Sequence, residues 1–287
     1  MGDVNAAKAS GGRPAADKKT QANDTKEIKI LMLHGYTQSG PLFRAKTRAL
    51  EKLMAKSLAP FKLKPTLFYP TAPIRLSPRD IPGYVPAEGA EAGEDAEMDA
   101  WAWFRKDEAS GNYRALSQGF ECIARCIRDE AGGHVDGVVG FSQGGAMAAM
   151  LASALEHVGE GEGEGEGAKY RVPPPADADY DWGWVDAVRE ANGGRGLKFA
   201  VVYSGFFSPP AQFGWLYEPK IKTATLQFIG SLDTVVEEDR SQGLADRCQD
   251  PLVVVHPGGH HVPVKKEMVM PLVGFVKKCC EEDAPAS

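Results

Sequence analysis

Gly140-Phe141-Ser142-Gln143-Gly144 has the spacing Gly-x-Ser-x-Gly, which can raise a serine hydroxyl on a sharp turn between a strand and a helix. A lone match is weak in a chain with 32 glycines. Its surroundings strengthen it. The apolar run Val135–Phe141 reads as a buried strand and Gly144–His157 as a helix, so Ser142 falls at the junction a nucleophile elbow requires. The helix start also directs free N–H groups and positive dipole at any negative charge that develops there.

A serine hydroxyl is a poor nucleophile near neutral pH, so it needs a base, and the base needs an orienting carboxylate. Four histidines follow Ser142: His157, His256, His260 and His261. His157 closes the helix after the elbow, and His256 ends the strand Leu252–Val255. His260 and His261 lie on the turn Pro257-Gly258-Gly259-His260-His261, a suitable mount for an imidazole. His256 and His260 stand four apart, but Pro-Gly-Gly between them forbids a zinc helix, so no metal is expected. No cofactor is called for either. The carboxylate should lie between serine and histidine, just past a strand. Asp233, in Gly230-Ser231-Leu232-Asp233 after the strand Thr225–Ile229, fits, whereas Glu237, Glu238 and Asp239 fall within the next helix. An oxyanion would need two N–H donors, one from Gln143 and one from the loop His34–Gly40.

These residues need a scaffold that gathers strand ends on one rim. Strands are expected at Ile28–His34, Thr66–Tyr69, Val135–Phe141, Leu197–Tyr203, Thr225–Ile229 and Leu252–Val255. Helices are expected at about Pro41–Ser57, Asn112–Ala131, Gly144–His157, Glu237–Cys248 and Val264–Cys280. In the first, Leu42, Ala45, Ala49, Leu53 and Met54 form an apolar stripe. Alternating strands and helices predict an α/β fold with a mostly parallel sheet covered on both faces and no large cap domain. Cys122 and Cys126 are expected as packed thiols on the second helix.

Domain organisation follows from composition. Of the 287 residues, 1–27 read as a disordered tail and 28–281 as one domain. A long loop spans about 70–104. A flexible insertion with a Gly-Glu repeat spans about 158–196. Its glutamates Glu160, Glu162, Glu164 and Glu166 and the six acids of 88–99 hold ten of the 39 acidic residues. Without them 29 acids face 33 bases, so the net charge of −6 belongs to two local segments. No basic stripe interleaved with aromatics speaks for nucleic acid, and no apolar run approaches the roughly 18 residues of a membrane span. Five cysteines without a Cys-x-x-Cys pair suggest neither a disulfide framework nor a zinc site. A cytoplasmic protein is the expectation, the nucleus being the other compartment compatible with this composition.

The segments LHGYTQSG, GFSQGG, GSLDTVV and HPGGHHVP together resemble the eukaryotic "family of serine hydrolases" group of the α/β-hydrolase superfamily. That group includes an ovarian-tumour-associated esterase of animals and polyketide-releasing thioesterases of fungi. The resemblance runs from about Ile28 to Phe275, outside the insertion. It implies hydrolysis of small-molecule acyl esters or thioesters, with an acyl-carrier domain as a partner in the thioesterase alternative. Carried over residue by residue, it implies Ser142 as nucleophile, Asp233 as acid and His260 as base, His261 standing where the family more often has an aromatic residue. The oxyanion donors become the N–H groups of Tyr36 and Gln143, with Thr37 the alternative to Tyr36. Trp101 and Trp103, in the loop 70–104, and Phe206 and Phe207, around the Ser204-Gly205 strand end, are candidates for an acyl-pocket wall. A hydrolase fold without activity, serving as a scaffold, is the non-enzymatic alternative.

Overall fold

The computed structural model describes residue 2 and residues 25–81, 83–84, 98–107, 109–157, 170–176, 180–209 and 211–281. The expected tail up to residue 24, most of the acidic run and the Gly-Glu repeat lie outside these residues.

Six parallel strands make the sheet: β1 (Lys26–Leu33), β2 (Leu63–Phe68), β3 (Gly137–Phe141), β4 (Phe199–Tyr203), β5 (Ala224–Gly230) and β6 (Leu252–His256). Their spatial order is β6-β5-β4-β3-β1-β2. The chain steps from β1 outward to β2 and then crosses back to β3 on the other side of β1. The carboxyl ends of β1 and β3, where Leu33 pairs with Gly140, therefore flank the point at which the winding reverses. Crevices in open α/β sheets form there.

Helices cover both faces. Alternation along β1 sends Ile28, Ile30 and Met32 to one side and Leu31 and Leu33 to the other. The first set packs with α1 (Gly40–Leu58) and α5 (Lys266–Glu281), the second with α2 (Leu116–Arg125) and α3 (Gln143–Leu155). α3 has no charged residue and is buried all round, as a helix wedged between sheet and outer helices must be.

Several expectations need correction. The buried stripe of α1 is Phe43, Thr47, Leu50, Met54 and Leu58, whereas Leu42, Ala45 and Ala49 face outward. Thr47 disguises the true stripe, yet its hydroxyl is satisfied by the Phe43 carbonyl at 2.8 Å and it packs as a core residue. The helix expected from Asn112 starts only at Leu116, because Tyr113–Arg114 pairs antiparallel with Arg105–Lys106. It ends in a wider turn, with the Ala131 N–H donating to the Cys126 carbonyl. Cys126 is buried on that turn, which pushes its thiol up to about 12.

The insertion expected at 158–196 is, in its described end, part of the core. α4 (Gly183–Ala191) buries Trp184, Val185 and Val188, and Trp184 stacks on Phe120 of α2 with centroids 3.8 Å apart. Further back, the buried Arg171 pairs with the buried Glu156 at 2.7 Å and donates to the Pro219 and Lys220 carbonyls. A buried ion pair stands only when its remaining donors and acceptors are met, as these are. The loop expected at 70–104 is likewise tied down where described, Ile74–Arg75 pairing antiparallel with Trp101–Ala102.

Candidate active site

Ser142 stands between β3 and α3 with φ 54° and ψ −117°, a backbone conformation that a non-glycine residue adopts only under constraint. Its N–H donates to the Tyr203 carbonyl of β4, and the carbonyl oxygen accepts from Gly145 and Ala146. The turn fits because Gly144 lacks a side chain: a Cβ there would lie 2.2 Å from the Leu33 carbonyl oxygen. The elbow is thus pressed against the end of β1. The side chain of Gln143 fastens the other flank, its Oε1 accepting from the Trp103 N–H and its Nε2 donating to the Phe104 carbonyl, both at 2.8 Å.

Asp233 and His260 reach this point from the loops after β5 and β6. Asp233 Oδ1 accepts the N–H groups of Val235 and Val236, each at 2.9 Å, and Oδ2 lies 2.7 Å from His260 Nδ1. His260 Nε2 lies 2.9 Å from Ser142 Oγ. The two loops can close on each other because a Cβ on Gly230 would stand 2.6 Å from the Gly258 carbonyl oxygen. Burial pushes the Asp233 carboxyl up, but the His260 hydrogen bond and the two backbone N–H groups outweigh it and hold it below its ordinary value. An ionised carboxylate can only accept, so Nδ1 of His260 carries the proton and Nε2 is left to accept from the serine hydroxyl. His261, one residue on, is exposed and turns edge-on to His256 instead.

The turn after β1 faces the start of α3. The Thr37 N–H is engaged, donating to the Trp101 carbonyl at 3.0 Å. The N–H groups of Tyr36 and Gln143 have no acceptor among the described residues, which leaves these two, rather than Thr37, open to an anion. His34 holds the turn. Its Nδ1 donates to the Gly35 carbonyl at 2.8 Å, and its Nε2 accepts the Ala72 N–H at 3.0 Å. Burial lowers its pKa from 6.5 to about 4, keeping the ring neutral as that second bond requires.

His34 therefore stabilises the fold fully above pH 6.5, where it is neutral in both folded and unfolded chains. This contribution is lost progressively as pH falls from 6.5 and is gone once it has passed about 4. The loss is on the order of 3 kcal/mol. Urea unfolding at pH 7 and pH 4.5 should show a steeper loss in wild type than in His34→Gln. Equal losses would count against this role.

Of the four expected pocket residues, Trp103 is a correction. It is wholly buried, its indole N–H donating to the His34 carbonyl at 2.8 Å, so it props the turn from beneath rather than lining a surface. Trp101 is half-buried, with its indole N–H on Asp99. Phe206 and Phe207 lie under the guanidinium groups of Arg240 and Arg247. A cavity of about 260 Å³ does reach the site, from the side of α1, and none of the four lines it. Its walls include Gln38, Phe43, Lys46, Phe141, His260 and His261. Phe43 and Lys46 were hidden by the misplaced stripe on α1; their three-residue spacing is the signal that would have paired them.

Among the described residues no helix is long and apolar enough to cross a membrane, and no group of three His, Cys, Asp or Glu side chains could hold a metal ion.

Comparison with known proteins gives the family and the fold. A protein of Saccharomyces cerevisiae named "Family of serine hydrolases 2" is 29% identical over 256 residues, covering 88% of this chain and 96% of that one. A Schizosaccharomyces pombe protein named "Dihydrofolate reductase" is 29% identical over 241 residues, 83% of this chain. The chain spans 44% of that protein and 52% of a second relative from the same yeast, about half their length. Among solved structures, Zea mays acyl-protein thioesterase 2 superposes with a TM-score of 0.52 at 19% identity, covering 89% of this chain and 94% of that one. The likeness at that identity is one of fold, the α/β-hydrolase fold. The model of the family described as "Serine hydrolase (FSH1)" matches residues 23–272. The chain belongs to this serine hydrolase family.

Proposed function

We propose that the chain is an esterase that cleaves acyl esters through an acyl-enzyme on Ser142, with His260 as the general base and acid and Asp233 as the residue that orients it. One observation carries the reading: the unbroken series from Asp233 Oδ2 to His260 Nδ1 at 2.7 Å and from His260 Nε2 to Ser142 Oγ at 2.9 Å.

Ser142 Oγ bonds to the substrate carbonyl carbon while its proton passes to His260 Nε2. The carbonyl oxygen takes up the electron pair as an oxyanion, which the N–H groups of Tyr36 and Gln143 accommodate at the start of α3. As the carbonyl re-forms, the bond to the departing alcohol breaks and His260 delivers the proton to it. Water then attacks the acyl carbon, giving its proton to His260. The bond to Oγ breaks, the acid leaves, and Ser142 recovers its proton. The imidazolium formed at each stage is stabilised by the ionised Asp233.

A thioester differs only in its departing atom, so the same series of groups would serve it. A panel with matched oxygen and sulfur leaving groups over acyl chains of increasing length tests the reading. Turnover of at least one oxygen ester, lost in Ser142→Ala, is expected. Turnover confined to thioesters would make the chain a thioesterase. A folded wild type inert toward every member would favour the scaffold alternative.

A further inference from the structure

Resting on the hydrolytic reading, we propose that the cavity beside His260 receives the departing group, and that Lys46 with Gln38 selects substrates whose alcohol or thiol carries an anionic group, a carboxylate or a phosphate. The departing atom must take its proton from His260 Nε2, and this cavity shares that imidazole with the site, although Ser142 itself is not among its walls. About 260 Å³ is somewhat less than the roughly 300–1,000 Å³ of sites that enclose a whole small ligand, which suits one arm of a substrate.

The lining is divided in its chemistry. Phe43, Phe141 and Val262 give apolar contact next to the imidazole. Gln38 is nine-tenths buried, and its Oε1 is buried with no hydrogen-bond partner among the described residues. Such an atom is costly to leave unmet and points to a ligand group that meets it. Lys46 lies one turn beyond Phe43 on α1, lines the cavity and is exposed, so its long side chain can cover apolar wall with its methylenes while the ammonium keeps its water. Among the described residues, none that lines the cavity is acidic. An arm with a hydrogen-bond donor partway along and an anion at its end would match the order in which these groups occur.

The test is a set of esters with one common acyl group and leaving alcohols of equal length ending in a neutral amide, a carboxylate or a phosphate. A fourth ester carries the carboxylate at the far end of the acyl chain. Wild type is expected to favour the anionic leaving groups in kcat/KM. The ratio of anionic to neutral should fall about fivefold to twentyfold in Lys46→Gln and drop further in Lys46→Glu. Lys52→Gln, the same charge change on the outer face of α1, should leave that ratio in place. Gln38→Leu should raise KM most for leaving groups with a donor partway along. A ratio near one in wild type, or one that Lys46→Gln does not move, overturns the proposal while ester hydrolysis itself stands. So does a Lys46 effect that follows the anion on the acyl chain. Absence of all ester turnover by folded protein would instead bring down the hydrolytic reading on which it rests.

Discussion

His260→Ala is expected to cost on the order of 10⁴- to 10⁶-fold in kcat, and His261→Ala less than about tenfold. The two imidazoles are adjacent in sequence but not in what they touch. His260 Nε2 is 2.9 Å from Ser142 Oγ, and its ring packs on Phe141 with centroids 4.7 Å apart. His261 is exposed and meets His256 at a centroid distance of 5.3 Å. Without the first imidazole, Ser142 keeps its proton and the departing group has no acid, so both halves of the cycle fail together. Steady-state rates on an oxygen ester, with circular dichroism to confirm folding, give the comparison. A larger loss in His261→Ala would reverse the assignment.

Asp233→Asn should lower kcat by about 10⁴-fold with little change in the fold. An asparagine oxygen can still accept from the Val235 and Val236 N–H groups that anchor the loop. Its amide, however, would donate to His260 Nδ1, shifting the imidazole proton to Nε2 and turning the base away from Ser142. In wild type the Asp233 carboxyl stays ionised to below the ordinary carboxylate range, since its hydrogen bonds outweigh its burial. The sign follows: the charge that supports His260 is present above that range and is lost only when pH falls through the lowered value. Asp233→Asn with near wild-type rates would contradict the assigned role.

The sequence made the chemistry more legible than the packing. Gly-x-Ser-x-Gly, the acid after a strand and the glycine-rich histidine turn are local patterns, each fixed by what a turn can accommodate. Their order along the chain matched strand ends that apolar runs had already marked. That His260 rather than His261 lies beside Ser142 depends on how the loops after β5 and β6 close through Gly230, which no spacing encodes. Choosing between the Tyr36 and Thr37 donors required knowing that the Trp101 carbonyl engages Thr37, a contact between residues far apart in sequence. The errors came where two patterns compete. On α1 a polar Thr47 sits in the buried stripe, so an all-apolar stripe beside it was the more visible. In α4 the apolar spacing of Trp184, Val185 and Val188 was overshadowed by the neighbouring Gly-Glu repeat. Trp103 was placed on a surface because aromatic residues near strand ends serve pockets and cores alike. Only its bond to the His34 carbonyl separates the two.

The central claim is that Ser142 is the atom that becomes acylated. Treating the intact protein with a fluorophosphonate probe and locating the adduct by mass spectrometry tests it most directly. A single phosphonyl group on the peptide bearing Ser142 is expected, formed more slowly in His260→Ala and not at all in Ser142→Ala. An adduct on another serine, or none on folded wild type, would contradict it.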